Sequence, residues 1–148
     1  MKALKKQLFD ACTEYVQLRA KTVNDIIASN QKALSSETKS SAGDKHETGR
    51  AMLQLEMEKA GQQLASINQM KMVLAKINLE ASDIAKLGSL IITDKANYFL
   101  AISAGEIRIE NTTYYAISPS SPIGHLLLGR QLGETINFAK EMLIKAIY

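Results

Sequence analysis

No proline occurs before Pro119, and only Gly43, Gly49 and Gly61 interrupt the chain ahead of Gly88. Proline removes a backbone donor and glycine loosens the backbone, so their scarcity leaves the first eighty residues free to form long helices. The Lys, Glu, Gln, Ala, Leu and Met that dominate this stretch favour helix. Apolar or small residues recur at Leu4, Leu8, Ala11, Tyr15, Leu18 and Thr22, then less cleanly at Ile26 and Ser29. A second series runs Leu53, Met57, Ala60, Leu64, Ile67, Met70, Leu74, Ile77 and Ala81. Steps of three and four mark a coiled-coil seam in each. The polar stretch SSETKSSAGDK between them predicts an antiparallel helical hairpin over 1–82, with helices about 2–34 and 45–80 and a tip at 35–44. Each helix would be about 45–52 Å long at ~1.5 Å per residue, so the hairpin is expected to project.

The pattern changes near Gly88. SLIITD, NYFLAIS, EIRIE, TTYYAIS, TINFA and EMLIKAIY are short, apolar and rich in Ile, Tyr and Phe, with turn residues between them. They read as about six strands. SPSSPIGHLLLGR offers Ser120 or Ser121 as a helix cap, Pro122 in the first turn and Gly129 as a stop. The expected class is α+β: a long hairpin, then a small antiparallel sheet over 88–148 with one short helix on a face.

Composition bounds the function. With 46% hydrophobic residues in 148, the chain can bury a core, and with 5% aromatics and no Trp that core is aliphatic. The net charge of +3 is mild, unlike that of proteins holding nucleic acid by charge alone. The first eighty residues carry 12 basic and 9 acidic groups and the remainder 6 and 6, so the excess belongs to the hairpin. One cysteine, Cys12, excludes an internal disulfide and a paired-cysteine zinc cluster. Lysines open the chain, but Asp10 and Glu14 interrupt any apolar run of leader length, and no stretch reaches the ~18 apolar residues of a membrane span. A cytoplasmic protein with no membrane role is expected.

Asp44 and Glu47 stand where the second helix should begin. Three residues apart, they have the spacing of a capping box and suit the positive end of a helix dipole. The same spacing brings two carboxylates to one side of a helical turn, ~5–6 Å apart, where they could face one divalent cation or one water. Magnesium takes oxygen ligands and is often held by one or two carboxylates, with waters and phosphates completing its shell. Two carboxylates are an incomplete site, so another molecule would have to supply the remaining ligands.

A hairpin tip reading Gly43-Asp44-Lys45-His46-Glu47, followed by a sheet domain containing ISPSSPIGHLLLGRQLGETI, resembles the bacterial Gre transcript-cleavage factors. The C-terminal likeness is the more specific. Ile117-Ser118, Ser121-Pro122-Ile123, Leu127-Leu128-Gly129-Arg130 and Gly133-Glu134 follow that family's Ser-Pro, Leu-Ile/Leu-Gly-Lys/Arg and Gly-Asp/Glu pattern in order and spacing. Thr48-Gly49-Arg50-Ala51 departs from the family's usual Asn-Ala-Glu-Tyr, and Ser120 stands where Asp or Asn is frequent.

The resemblance implies an elongation factor that is not itself an enzyme. Its hairpin would enter the secondary channel of RNA polymerase, where Asp44 and Glu47 would help hold a catalytic Mg2+ shared with the polymerase and position a water. The polymerase would then cleave the displaced 3′ end of a backtracked transcript, with nascent RNA an indirect partner and no sequence-specific DNA binding. The C-terminal domain is implied to be FKBP-like and to dock on the polymerase through Ser120, Ser121, Pro122 and Ile123. No cofactor is implied for the chain in isolation.

Two alternatives stand beside this reading: a channel-binding regulator or inhibitor that does not stimulate cleavage, and a chaperone-like or adaptor module whose acids only cap a helix. Lys45, His46 and Arg50 could touch RNA or polymerase, or simply be solvated. Cys12 and the methionines fit packing, and His125 fits a surface position. Three Phe and five Tyr argue against the aromatic-lined pocket of a prolyl isomerase.

Overall fold

The computed structural model describes the backbone of residues 1–39 and 43–148 and the side chains of 1–36 and 48–148. Helix α1 spans Lys2–Lys39 and α2 spans Gly43–Ala75. Strands β1 (Leu90–Thr93), β2 (Asn97–Leu100), β3 (Gly105–Ile109) and β4 (Thr112–Ile117) follow, then α3 (Pro122–Leu127), β5 (Thr135–Phe138) and β6 (Lys140–Ile147). The chain divides into two compact units, Val16–Met70 and Met1–Tyr15 together with Lys71–Tyr148.

Within the first unit, α2 buries or half-buries Leu53, Met57, Ala60, Leu64 and Ile67, the series expected from its sequence. On α1 the covered series is Val16, Ala20, Val23, Ile27, Asn30 and Leu34. Leu18, Thr22, Ile26 and Ser29, expected at the seam, are exposed. Two stripes compete on this helix. The buried one opens with four apolar residues in a row, whereas the other alternates Leu18 and Ile26 with the hydroxyls of Thr22 and Ser29. Covered residues recur along α1 at about 3.6 residues, the period of a straight helix and not the 3.5 of a heptad seam. Residues of both helices, among them Asp25, Ile26 and Asn30 of α1 and Glu56, Lys59 and Ala60 of α2, line one groove.

The second unit is a six-stranded sheet in the order β3-β4-β2-β1-β6-β5. All neighbours are antiparallel except β2 and β4, which pair in parallel, with Tyr98 opposite Tyr115 and Leu100 opposite Ile117. The sheet is thus mixed, where a wholly antiparallel one was expected. Burial accounts for the order. Strand β4 carries the buried Tyr114 and Ala116, while β3 has no fully buried residue, so β4 lies against β2 and β3 takes the edge.

Helix α3 inserts Ile123 and Leu127 into a core with Ile91, Leu100, Met142 and Ile144. The alternate residues Leu90 and Phe99 are also fully buried. The start of α1 belongs to this unit. Leu8 and Cys12 are completely buried, and Cys12 is hydrogen-bonded to the backbone of Ile102. After Ala75, α2 ends in two tight hydrogen bonds, from Lys76 N to Val73 O and from Ile77 N to Leu74 O, five residues short of the expected end.

Candidate functional site

The acidic pair and its neighbours, Asp44, Lys45, His46 and Glu47, lie outside the described side chains. Their positions fall within the bounds of α2, in its first two turns. Arg50, one residue beyond Gly49 on the same helix, is exposed.

The Ser-Pro loop is built around Ser118 and Ser121. Ser121 caps α3: its Oγ accepts from Gly124 N at 3.1 Å and donates to Ser118 O at 2.6 Å. Its backbone N–H donates to the same carbonyl at 3.0 Å. Pro122 occupies the first helical turn, where a missing N–H costs nothing. Ser118 Oγ accepts from Ser120 N at 3.1 Å and lies 2.7 Å from Ser120 Oγ. The loop folds back closely enough that a Cβ on Gly124 would lie 2.0 Å from Ser118 O.

Of the four residues expected to meet a partner, Ser120 and Pro122 are exposed, Ser121 is half-buried and committed to its cap, and Ile123 is 7% exposed in the core. The loop therefore offers Ser120 and Pro122 outward, and Ile123 anchors them from beneath.

The rest of the C-terminal motif holds the fold together. Gly129, at φ +84, stops α3 and donates to Ala85 O at 2.8 Å, while Ala85 N donates to Arg130 O at 2.8 Å. Arg130 donates through Nε to Leu126 O at 2.9 Å and through Nη1 to Glu134 Oε2 at 3.2 Å. The other oxygen of Glu134 accepts from Gln131 N at 3.1 Å. Arg130 and Glu134 thus clamp the turn between α3 and β5, and the backbone of Gly129 and Arg130 fixes the segment before β1 against it.

Sequence reasoning missed the apolar surface beside this clamp. Leu132 is 65% exposed, and with Ile84 and Ile147 it lines a shallow recess of about 500 Å³ bordered by Asp83. The signal was a lone leucine inside the polar turn GRQLGE, where no buried position calls for one.

Two buried ionisable groups lie near the start of α1. Lys5 is almost fully enclosed and donates to Glu80 O at 3.4 Å. Burial, and then the charge of Lys86, lower its pKa against the opposing pull of Glu80. Burial pushes the Cys12 thiol up to about 12, despite its hydrogen bond with the Ile102 backbone. Lys2 bonds Glu80 at 2.9 Å in full solvent and keeps that carboxyl below its usual range. His125, in the last turn of α3, is exposed. Among the described residues no three His, Cys, Asp or Glu side chains come together, and no helix is long and apolar enough to cross a membrane.

No protein family and no curated protein matches the sequence. Among solved structures, the chain is similar to GreA factor homolog 1 (Gfh1) of Thermus thermophilus, with 18% identity over 91% of this chain and 93% of that one and a TM-score of 0.36. It is likewise similar to a structure of the transcription factor Gfh1, with 18% identity, coverage of 93% and 94% and a TM-score of 0.37.

Proposed function

We propose that this chain is a Gre-type accessory factor of bacterial RNA polymerase, working in the cytoplasm and promoting the polymerase's own cleavage of backtracked transcripts. The observation that carries the reading is the position of Asp44 and Glu47. Both acids fall in the first two turns of α2, three residues apart, where a helix of 33 residues follows one of 38. Helical backbone sets residues at that spacing on one side. Carboxylates are hard oxygen donors, the class magnesium prefers, and two of them fill only part of its six-ligand shell. The polymerase would complete the shell. A magnesium ion held in this way supplies charge stabilisation and an activated water for phosphodiester hydrolysis. The chain's own part is to bring the two acids there and hold them in register.

In this reading the mixed sheet with its single helix is the FKBP-like module of such factors, and it docks on the polymerase. Ser120 and Pro122 make the contact, Ser121 sets the loop and Ile123 supports it. Arg50, with Lys45 and His46, faces RNA or polymerase at the tip.

The test is incubation of the protein with a backtracked elongation complex, scoring release of short 3′ RNA. The unmodified protein is expected to stimulate release. The Asp44→Ala, Glu47→Ala double variant is expected to bind polymerase as well as before and to lose the stimulation, by about 10²-fold or more if the acids supply metal ligands. Binding without stimulation by the unmodified protein would replace this reading with channel occupancy. Failure to co-purify with polymerase would remove both.

A further inference from the structure

Strand β3 is one edge of the sheet, and the direction of its backbone groups follows from its neighbours. On β4 the carbonyls of Thr113 and Ile117 accept from Asn97 Nδ2 and Ala101 N, on the side of β2. Successive residues of a strand turn their N–H and C=O groups to opposite sides. Thr112, Tyr114 and Ala116 therefore turn theirs toward β3, where Ile109, Ile107 and Gly105 stand opposite them. The turn Glu110-Asn111, at φ 48 and 67, agrees, because a two-residue turn of this kind is closed by a hydrogen-bonded pair, here Ile109 and Thr112. What is left on the open side of β3 is the N–H and C=O of Glu106 and of Arg108, and among the described residues no hydrogen bond reaches them. The side chains of the same two residues are exposed on one face, that of Tyr115 and Thr113 opposite them. Neither has an ion-pair partner among the described residues. No proline, lysine or bulge closes this edge.

We propose that β3 pairs antiparallel with β3 of a second copy, about a two-fold axis at Ile107, so that two sheets become one. Two separate requirements select the same register. Open backbone groups must meet open backbone groups, so Glu106 or Arg108 of one copy has to stand opposite Glu106 or Arg108 of the other. Two-fold registers centred on residue 106 or residue 108 satisfy this but set like charges directly opposite, which is destabilising. The register centred on Ile107 sets Glu106 of each copy opposite Arg108 of its mate. On either side of the axis it makes an ion pair and a residue pair that exchanges both N–H···O bonds. At the axis Ile107 meets its own counterpart in the closer, non-hydrogen-bonded kind of pair, and Ile109 faces Gly105, which has no side chain to oppose it. An extended peptide matching this edge needs an acid and a base two residues apart in the reverse sense, and β3 itself carries that sequence. The opposite edge, β5, holds Thr, Ile, Asn and Phe and has no charge with which to choose a register. Five residues span roughly 17 Å of strand, so the interface is small and the pairing depends on concentration. These observations are independent of the tip acids and of the function assigned to them.

Sedimentation velocity of the full chain from roughly 10 µM to 1 mM is the test. A monomer–dimer equilibrium is expected. Glu106→Arg and Arg108→Glu, each at an exposed position, are each expected to weaken self-pairing at least about tenfold with an unchanged near-ultraviolet tyrosine spectrum. An equal mixture of the two variants sets opposite charges against each other again and is expected to pair, as is the chain carrying both changes. Cross-linking reads the register. In a Cys12→Ala background, Ile107→Cys is expected to form a disulfide between copies under mild oxidation, because its two Cα atoms lie ~4.5 Å apart at the axis. Ile109→Cys is expected not to, because its counterpart is four residues away along the strand, roughly 14 Å. A chain that is monomeric throughout overturns the proposal. So does a dimer indifferent to both charge variants, a mixture of the two that stays monomeric, or cross-linking through residue 109 as readily as through residue 107.

Discussion

At residue 124 the backbone of one segment lies where any side chain would stand. An alanine there puts its Cβ 2.0 Å from Ser118 O and 2.9 Å from Pro119 Cα, and neither is a flexible side-chain end that could move aside. Gly61 is the opposite case: it stands inside α2 with nothing within 4 Å of the added carbon. The same substitution should therefore have opposite signs. Gly124→Ala is expected to cost at least about 3 kcal/mol by opening the Ser118–Ser121 loop, and Gly61→Ala to gain about 0.5–1 kcal/mol by removing backbone freedom from a helix interior. Urea denaturation of the two variants checks both. Cys12 is constrained in another way. Its thiol has an ordinary pKa of 9.0, which it keeps when unfolded, and is held at about 12 when folded. Below pH 9 both states are protonated and the thiol makes no difference. Between about 9 and 12 the unfolded chain loses the proton first, so stability falls as pH rises. Lys5, with its lowered pKa, acts in the opposite sense over the alkaline range, so the useful quantity is the difference between the unmodified protein and Cys12→Ala. That difference is expected to be flat to about pH 9 and to swing in favour of the variant above it. A difference that stays flat to pH 11 would mean that the thiol is not enclosed as described.

The elements differ in how far their sequences disclosed them. All six strands and α3 emerged from runs of Ile, Tyr and Phe broken by turn residues, and Ser121, Pro122 and Gly129 bounded α3 at the expected places. The seam of α2 was also legible from Leu53 to Ile67, where the expected residues are covered while Met52 and Leu55 beside them are exposed. The seam of α1 was not, because two neighbouring stripes carry apolar residues and only the facing helix decides between them. The parallel pairing of β2 with β4 was hidden for a similar reason: alternation gives a strand its faces and says nothing of its neighbours. In the candidate site, the Ser-Pro motif located a real loop. The motif could not separate its outward residues, Ser120 and Pro122, from Ile123, which lies one position further on and is buried by the turn of α3. The Leu132 recess depends on residues Asp83 and Ile84 before β1, which are remote in sequence, whereas the Arg130–Glu134 clamp is built from bonds within residues 126–134.

For the molecule as a whole, helix boundaries and unit boundaries do not coincide. The first fifteen residues are part of α1 and also part of the unit that contains the sheet. Leu8 and Cys12 are fully buried there, Cys12 through a bond to Ile102, and Lys2 and Lys5 meet Glu80. Residues 83–148 alone keep all six strands and α3 but lose this cover. Burying a leucine-sized side chain is worth about 1.5–3 kcal/mol, and a sheet stripped of two or three such contacts exposes apolar surface on the stripped side. At 66 residues that fragment is also near the size at which a single core is marginal. It is therefore expected to unfold at a clearly lower urea concentration than the same strands in the intact chain, and to bind a hydrophobic dye in its absence. Joining residues 1–15 to its N-terminus through a flexible linker is expected to restore much of the loss, and the same fusion carrying Leu8→Ala and Cys12→Ala much less. Tyrosine fluorescence from Tyr98 and Tyr114 reports the sheet in every case. Equal midpoints for fragment and intact chain would show that the start of α1 only rests on the sheet and does not complete its core.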